Sequence, residues 1–163
     1  MHQVFLGIGG NLGNRDDNLT KALFLIENEL GTIRQKSSVY ETPPWGFVAE
    51  ENFWNMVVQI KTGKQPDELL QKIKETQQKF GRKPRTGNYT SREMDIDILY
   101  FDDFILENEQ LKIPHPHIPE RLFVLVPLAE IAPDLRHPVS QKTSRELLES
   151  CSDKSDIKRV EFE

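Results

Sequence analysis

Two aspartates one residue apart, Asp95 and Asp97, stand in the otherwise apolar run Met94-Asp95-Ile96-Asp97-Ile98-Leu99-Tyr100-Phe101. On a strand, successive side chains alternate between faces, so both carboxylates project from one face, about 6.7 Å apart along the backbone. The same alternation sends Met94, Ile96, Ile98 and Tyr100 to the opposite face. Two neighbouring anions repel unless a cation lies between them. A hard divalent ion, or a pair of ions ~3.5–4 Å apart, meets that need. Two solvated aspartates on an open, half-exposed face would give the same pattern.

Just upstream, Lys79, Arg82, Lys83, Arg85 and Arg92 fall within fourteen residues that contain no acid. Beside an acidic pair that holds metal, such a glycine- and proline-bearing loop, residues 82–93, reads as a phosphate clamp. The arginine fork donates to phosphate oxygens in parallel. Standing alone, it would read as a solvated charged loop. In Phe53-Trp54-Asn55, alternation puts Phe53 and Asn55 on one face and Trp54 on the other. An aromatic ring beside an amide can stack a flat heterocycle and read its polar edge; a strand entrance with a surface amide looks the same. His115 and His117 are one residue apart, but no cysteine or further histidine completes a zinc site. His115 suits a phosphate donor, and His117, His2 and His137 are taken as structural.

These groups need a frame. Val4, Leu6 and Ile8 alternate on a strand over 3–9 that enters the turn Gly9-Gly10-Asn11-Leu12-Gly13. Asn14 caps a helix through Leu19, Ala22, Leu23, Ile26 and Leu30, ended by Gly31. A strand over 32–41 and another over 53–62 follow. Pro66 then opens a helix with Leu69, Ile73 and Phe80 on its buried stripe, stopped by Gly81. The aspartate strand, 94–101, is next. Short strands near 104–107 and 111–113 form a hairpin, and short helices are expected near 127–131 and 144–150. The order β-α-β-β-α-β predicts an α+β fold, a ferredoxin-like sandwich with an added β-hairpin and C-terminal short helices. Helices should cover one face of a mostly antiparallel sheet, leaving the other free for a site.

Composition narrows the function classes. The chain has 163 residues, a net charge of −5 and 37% hydrophobic residues. That suits a single domain over 1–163 with a real core. The acidic balance argues against general nucleic-acid binding. No apolar run approaches the ~20 residues of a membrane span, and the first residues lack the marks of a signal peptide. One cysteine, Cys151, allows no internal disulfide and points to a reducing cytoplasm. Leu12 stands where a dinucleotide fingerprint wants a third glycine, and no lysine of the phosphate-loop type follows the turn.

In combination these residues resemble one family, the 6-hydroxymethyl-7,8-dihydropterin pyrophosphokinases of folate biosynthesis. The likeness runs through Gly7-Ile8-Gly9-Gly10-Asn11-Leu12-Gly13, Tyr40-Glu41-Thr42-Pro43-Pro44, Phe53-Trp54-Asn55 and Gly81-Arg82. It continues in Arg92-x-x-Asp95-x-Asp97-Ile98-Leu99, Pro114-His115, Arg121-x-Phe123 and residues 127–133. The resemblance implies transfer of pyrophosphate from ATP to the hydroxymethyl group of the dihydropterin, releasing AMP. Asp95 and Asp97 would hold two Mg²⁺ ions, and Arg82 and Arg92 would act on the transferring phosphates. His115, Arg121 and Ile98 would contact ATP. Thr42, Pro43, Trp45, Phe53, Asn55 and Phe123 would form the pterin pocket. A cytoplasmic monomer acting on small molecules is expected.

Some positions depart from the family pattern. Gly10 replaces a usual serine, Gln77 a frequent glutamate, Gln110 an arginine of some members and Phe53 a tyrosine of others. Two other classes share parts of the pattern. A polymerase-palm-like nucleotidyltransferase would release pyrophosphate instead of AMP, and a non-catalytic ferredoxin-like binding module would not need Asp95, Asp97 and Arg92 together.

Overall fold

The computed structural model describes residues 1–43, 51–80 and 93–162. β1 (His2–Gly10) leads into α1 (Arg15–Leu25), where the Asn14 side chain accepts from the Asp17 N–H as an N-cap should. The helix continues as one wider turn over Ile26–Leu30, and the Gly31 N–H reaches back to the Ile26 carbonyl at 3.0 Å. β2 (Thr32–Lys36), β3 (Val39–Thr42), β4 (Phe53–Thr62), α2 (Pro66–Gln78) and β5 (Asp95–Phe101) follow. The expected hairpin is β6 (Leu106–Glu107) with β7 (Lys112–Ile113). α3 (Leu122–Ile131), α4 (Ser144–Glu149) and β8 (Lys158–Val160) complete the order.

Six of the described strands form an antiparallel sheet in the order β5-β1-β4-β3-β8, with β2 also paired to β4, and β6 and β7 pair apart from it. Val4, Leu6, Ile8, Met56, Val58, Ile60, Ile96 and Ile98 project from one face. There they pack with Leu19, Ala22 and Ile26 of the first helix and Leu69 and Ile73 of α2. Burial of such side chains contributes roughly 1.5–3 kcal/mol each, which is what holds these amphipathic helices down. No described helix is long and apolar enough to cross a membrane.

Three expectations need correction. The second face is not left free: Phe5, Val57, Leu99 and Tyr100 pack there against Val124, Leu125 and Leu128 of α3 and Leu147 of α4. Among the described residues its other end forms a cleft. The strand over 32–41 is two strands, because Ser37 interrupts it. Its hydroxyl takes the Val57 N–H at 2.9 Å, and Ser38 turns its N–H to the Glu130 carboxylate at 3.0 Å. The helix near 127–131 begins earlier, at Leu122, and carries Pro127 inside. An interior proline costs about 3 kcal/mol. Burial of Val124, Leu125, Pro127 and Leu128 offsets that cost.

Candidate active site

The open end of the second face is a cleft whose floor is laid by three strands. In the register of β5 on β1, Asp97 lies opposite Gly7 and Asp95 opposite Gly9. On the other side of β1, Gly9 faces Asn55 of β4. The carboxylates and the amide are thus separated by a strip with no side chains. A side chain on Gly9 would collide with the Asn55 amide oxygen and with the Trp54 carbonyl at 2.8 Å. Glycine within a strand weakens it, and its place here is where another group must approach the backbone closely.

Asp95 and Asp97 share the cleft wall, as the alternation predicts, and Ile96 and Ile98 lie in the core behind them. Tyr100 does not follow Ile98. The register shifts so that Leu6 faces Ile98 but Phe5 faces Tyr100, leaving Leu99 as an extra residue. This bulge turns Tyr100 to the face of Leu99 and Phe5 and sends Phe101 to the core. Burial pushes the Tyr100 hydroxyl pKa well up. On the other edge of β5, the Ile96 N–H donates at 2.8 Å to the side-chain oxygen of Gln77, itself buried at the end of α2. That bond fixes the peptide between the two aspartates. Because the Ile98 side chain is 4% exposed in the core, only its main chain is left to meet a ligand.

Phe53 and Asn55 do share the cleft face, with Trp54 turned to the helix side. The Asn55 amide nitrogen donates to Thr42 Oγ1 at 3.1 Å, which orients the amide. The residues before Phe53 are tied down by Arg15. Its guanidinium donates to the Asn52 carbonyl at 2.8 Å and lies 4.9 Å over the Trp54 ring. The Trp54 indole N–H and the Asn52 amide both reach Glu41 at 3.2 Å. Burial raises the Glu41 pKa, but these two hydrogen bonds, with the nearby charges of Arg15 and Lys158, outweigh it and hold the carboxyl below its ordinary range.

Opposite stand Arg121 and Phe123 from the start of α3, with the Arg121 guanidinium 5.3 Å from the Phe123 ring centre. Arg121 is 5% exposed yet lines the cleft, so its charge is presented in a poorly hydrated place. His115 is held to the outer edge of β5, its N–H on the Leu99 carbonyl at 3.0 Å. Its Nδ1 accepts from the His117 N–H at 3.1 Å, which leaves Nε2 as the donor of the neutral ring. Pro43 follows the end of β3 and Thr42 is buried there. Trp45, Arg82 and Arg92, with the rest of the basic loop up to Arg92 and the Gly81 stop, lie outside the described residues.

The structure therefore gathers Asp95, Asp97, Phe53, Asn55, Arg121 and Phe123 around one cleft. Gly7 and Gly9 enter the sequence reading only through the turn and the family likeness, and Gln77 only as a departure from that likeness, with no role at the site. The glycines did carry a signal, because they alternate on a strand as the aspartates do. The Gln77 bond carried none, since it joins two elements distant in sequence. Among the described residues no three or more His, Cys, Asp or Glu side chains cluster as a metal cage. Two carboxylates do fit Mg²⁺, which takes one or two of them and completes its shell with water and substrate phosphates. Chemically, the cleft offers a place for a phosphate-bound hard cation at one end and a flat slot with an amide edge at the other.

Comparison with known proteins bears on this arrangement. Residues 5–133 match the model of the 7,8-dihydro-6-hydroxymethylpterin-pyrophosphokinase (HPPK) family. The chain is 42% identical over 146 residues to the 2-amino-4-hydroxy-6-hydroxymethyldihydropteridine pyrophosphokinase of Aquifex aeolicus, covering 90% of each. It is 37% identical over 156 residues to that of Bacillus subtilis, covering 94% of this chain and 93% of the relative. Among solved structures, the wild-type HPPK-DHPS of Plasmodium falciparum superposes with a TM-score of 0.72 at 22% identity over 91% of this chain. An HPPK-DHPS in complex with substrates gives 0.73 at 17% over the same share. At such identities these show a shared fold, and the chain spans 43% of each of those longer chains.

Proposed function

Because the chain belongs to the HPPK family, we propose that it moves pyrophosphate from ATP to the hydroxymethyl group of 6-hydroxymethyl-7,8-dihydropterin, giving AMP and the pterin diphosphate. The observation that carries the reading is the glycine strip, which sets Asp95 and Asp97 on one side of β1 and Asn55 on the other. A phosphate chain and a flat acceptor then meet over it with no side chain between them.

The roles follow from the chemistry of each group. Phe53 and Phe123 stack the pterin, and Asn55, oriented by Thr42, reads its polar edge. Pro43 and Trp45 complete that pocket by family position. Arg121 and the Nε2–H of His115 hold the phosphate chain, and the main chain at Ile98 meets the nucleotide. Arg82 and Arg92, assigned from the family pattern, offset charge on the equatorial and leaving oxygens. Asp95 and Asp97 are the residues that would hold two Mg²⁺ ions, whose bound charge would screen the roughly four negative charges of the triphosphate. The hydroxyl needs no strong base if it is held in line with the β-phosphorus, since orientation alone supplies much of such an acceleration.

The finer description of the frame belongs to the same reading. The strand order β5-β1-β4-β3, with α1 and α2 on one face, supports a ferredoxin-like βαββαβ sandwich extended by the β6–β7 hairpin and the C-terminal helices. We take residues 1–163 as one domain acting as a cytoplasmic monomer on small molecules. The test is direct: protein, ATP, Mg²⁺ and the dihydropterin are mixed and the products separated. AMP with pterin diphosphate is the expected outcome. Release of pyrophosphate or ADP instead, or no turnover, would overturn the assignment.

A further inference from the structure

The chain beyond residue 133, where the family match ends, returns to the start of α3, whose Arg121 and Phe123 line the cleft. Asp153 lies 31 positions after Leu122, yet its Oδ2 accepts the Leu122 N–H at 3.1 Å. Leu122 is the first residue of α3, and the residue before it, Arg121, makes no side-chain cap. The four leading N–H groups of a helix have no partner inside it, so one of them is met here by the tail. Asp153 is itself fixed, because its Oδ1 accepts from the Ser155 N–H at 2.8 Å and from the Ser155 hydroxyl. Burial raises its pKa, but the Ser155 and Leu122 hydrogen bonds outweigh that and keep the carboxyl below its ordinary range.

Further along, β8 pairs antiparallel with β3, with Lys158 opposite Glu41, next to Thr42. The tail is thus bonded at one end to the start of α3 and at the other to the strand that carries Thr42, whose hydroxyl orients Asn55. It ties together the two walls between which the flat slot lies. The bonded N–H of Leu122 sits between Arg121 and Phe123 in the chain, so a turn of the 121–122 peptide moves both side chains at once.

We infer that Asp153 is a positioning residue for the cleft: by capping α3 at Leu122 it fixes Arg121 and Phe123 for the acceptor and the phosphates. This rests on the proposed pyrophosphokinase activity. A lost cap frays the first turn of a helix, and caps of this kind are worth enough to change binding by about fivefold.

The experiment compares wild type, Asp153→Ala and Asp153→Asn. It reads kcat, the KM for dihydropterin and for ATP, the thermal midpoint, and amide hydrogen exchange at Leu122 without ligands. Asp153→Ala should raise the dihydropterin KM about fivefold with kcat within about twofold of wild type, and speed Leu122 exchange by a similar factor. Asp153→Asn keeps a single oxygen, which meets the Leu122 N–H only by turning its NH2 toward the Ser155 N–H, so it should recover part of both losses, with values between those of Asp153→Ala and wild type. An unchanged KM in Asp153→Ala overturns the inference. So does a fall in kcat that tracks a lowered thermal midpoint without rescue by Asn, because that is a structural role only. Wild-type protein that yields no AMP overturns the activity itself, an outcome distinct from active protein indifferent to residue 153.

Discussion

Gly9 and Asn55 share one space: in the register of β1 on β4 they lie opposite each other, and the amide oxygen of Asn55 occupies the position a Gly9 side chain would need. The Trp54 carbonyl, 2.8 Å from that position, is backbone and cannot swing away. Gly9→Ala must therefore both strain the sheet and displace the amide. A stability loss of about 1–3 kcal/mol is expected, the usual cost of overpacking. The dihydropterin KM should rise by more than the ATP KM. Denaturant unfolding and steady-state kinetics check both; equal rises in the two KM values would detach Gly9 from the pterin end.

The carboxylate pair makes a separate forecast. Asp95→Asn and Asp97→Asn keep the shape of the strand and remove one anion each. Mg²⁺-dependent ATP binding by calorimetry should weaken on the order of 100-fold in either variant. Binding of the dihydropterin alone should stay near wild type, because Asn55 and Phe53 stand on the far side of Gly9. Nucleotide binding near the wild-type value in both variants would remove the metal assignment.

Gln77 should matter through its oxygen. Its contact with the Ile96 N–H is 2.8 Å long and buried. Gln77→Leu strands that N–H, at about 1–3 kcal/mol. The peptide between Asp95 and Asp97 then loses its outer support, so Mg²⁺-dependent ATP affinity should fall together with stability. Gln77→Glu retains an acceptor and should keep both closer to wild type. A Leu variant with wild-type denaturation midpoint and ATP affinity would show that the bond contributes little.

How much of this was legible in the sequence depended on whether the cause was local. Asp95 and Asp97 share a face because strand alternation is local, and Asn14 caps α1 because the cap and its acceptor are three residues apart. Tyr100 was placed on the wrong face because the bulge at Leu99 is a property of the β1–β5 register, and one extra residue reverses every later side chain. The break at Ser37 depends on β4 and Glu130, both distant in sequence. β8 was missed because Lys158-Arg159-Val160 has no pattern of its own and is a strand only against β3. For the site, residue types and alternation pointed to the aspartates, Phe53 and Asn55, whereas the resemblance alone pointed to Arg121 and Phe123. The Asp153 bond, which crosses 31 residues, had no mark in the sequence.

His137 makes stability depend on pH. Its ring is buried edge-on to Tyr100, with centres 5.8 Å apart, and burial lowers its pKa. Its Nδ1 accepts from the Val139 N–H at 3.2 Å and the Ser140 N–H at 3.3 Å, so the proton of the neutral ring sits on Nε2. Protonating Nδ1 would set three donors against one another. The folded state therefore resists a proton that the unfolded chain accepts at its ordinary value of about 6.5. Where the unfolded state binds more protons, stability rises with pH. The His137 contribution is accordingly full above about pH 6.5 and is lost as pH falls through the lowered folded value. Asn at 137 places an uncharged acceptor near the position of Nδ1. In urea unfolding at pH 7.5 and 5.5, His137→Asn should lose less stability on acidification than wild type. A difference between the two proteins that does not change between the two pH values would refute the assignment.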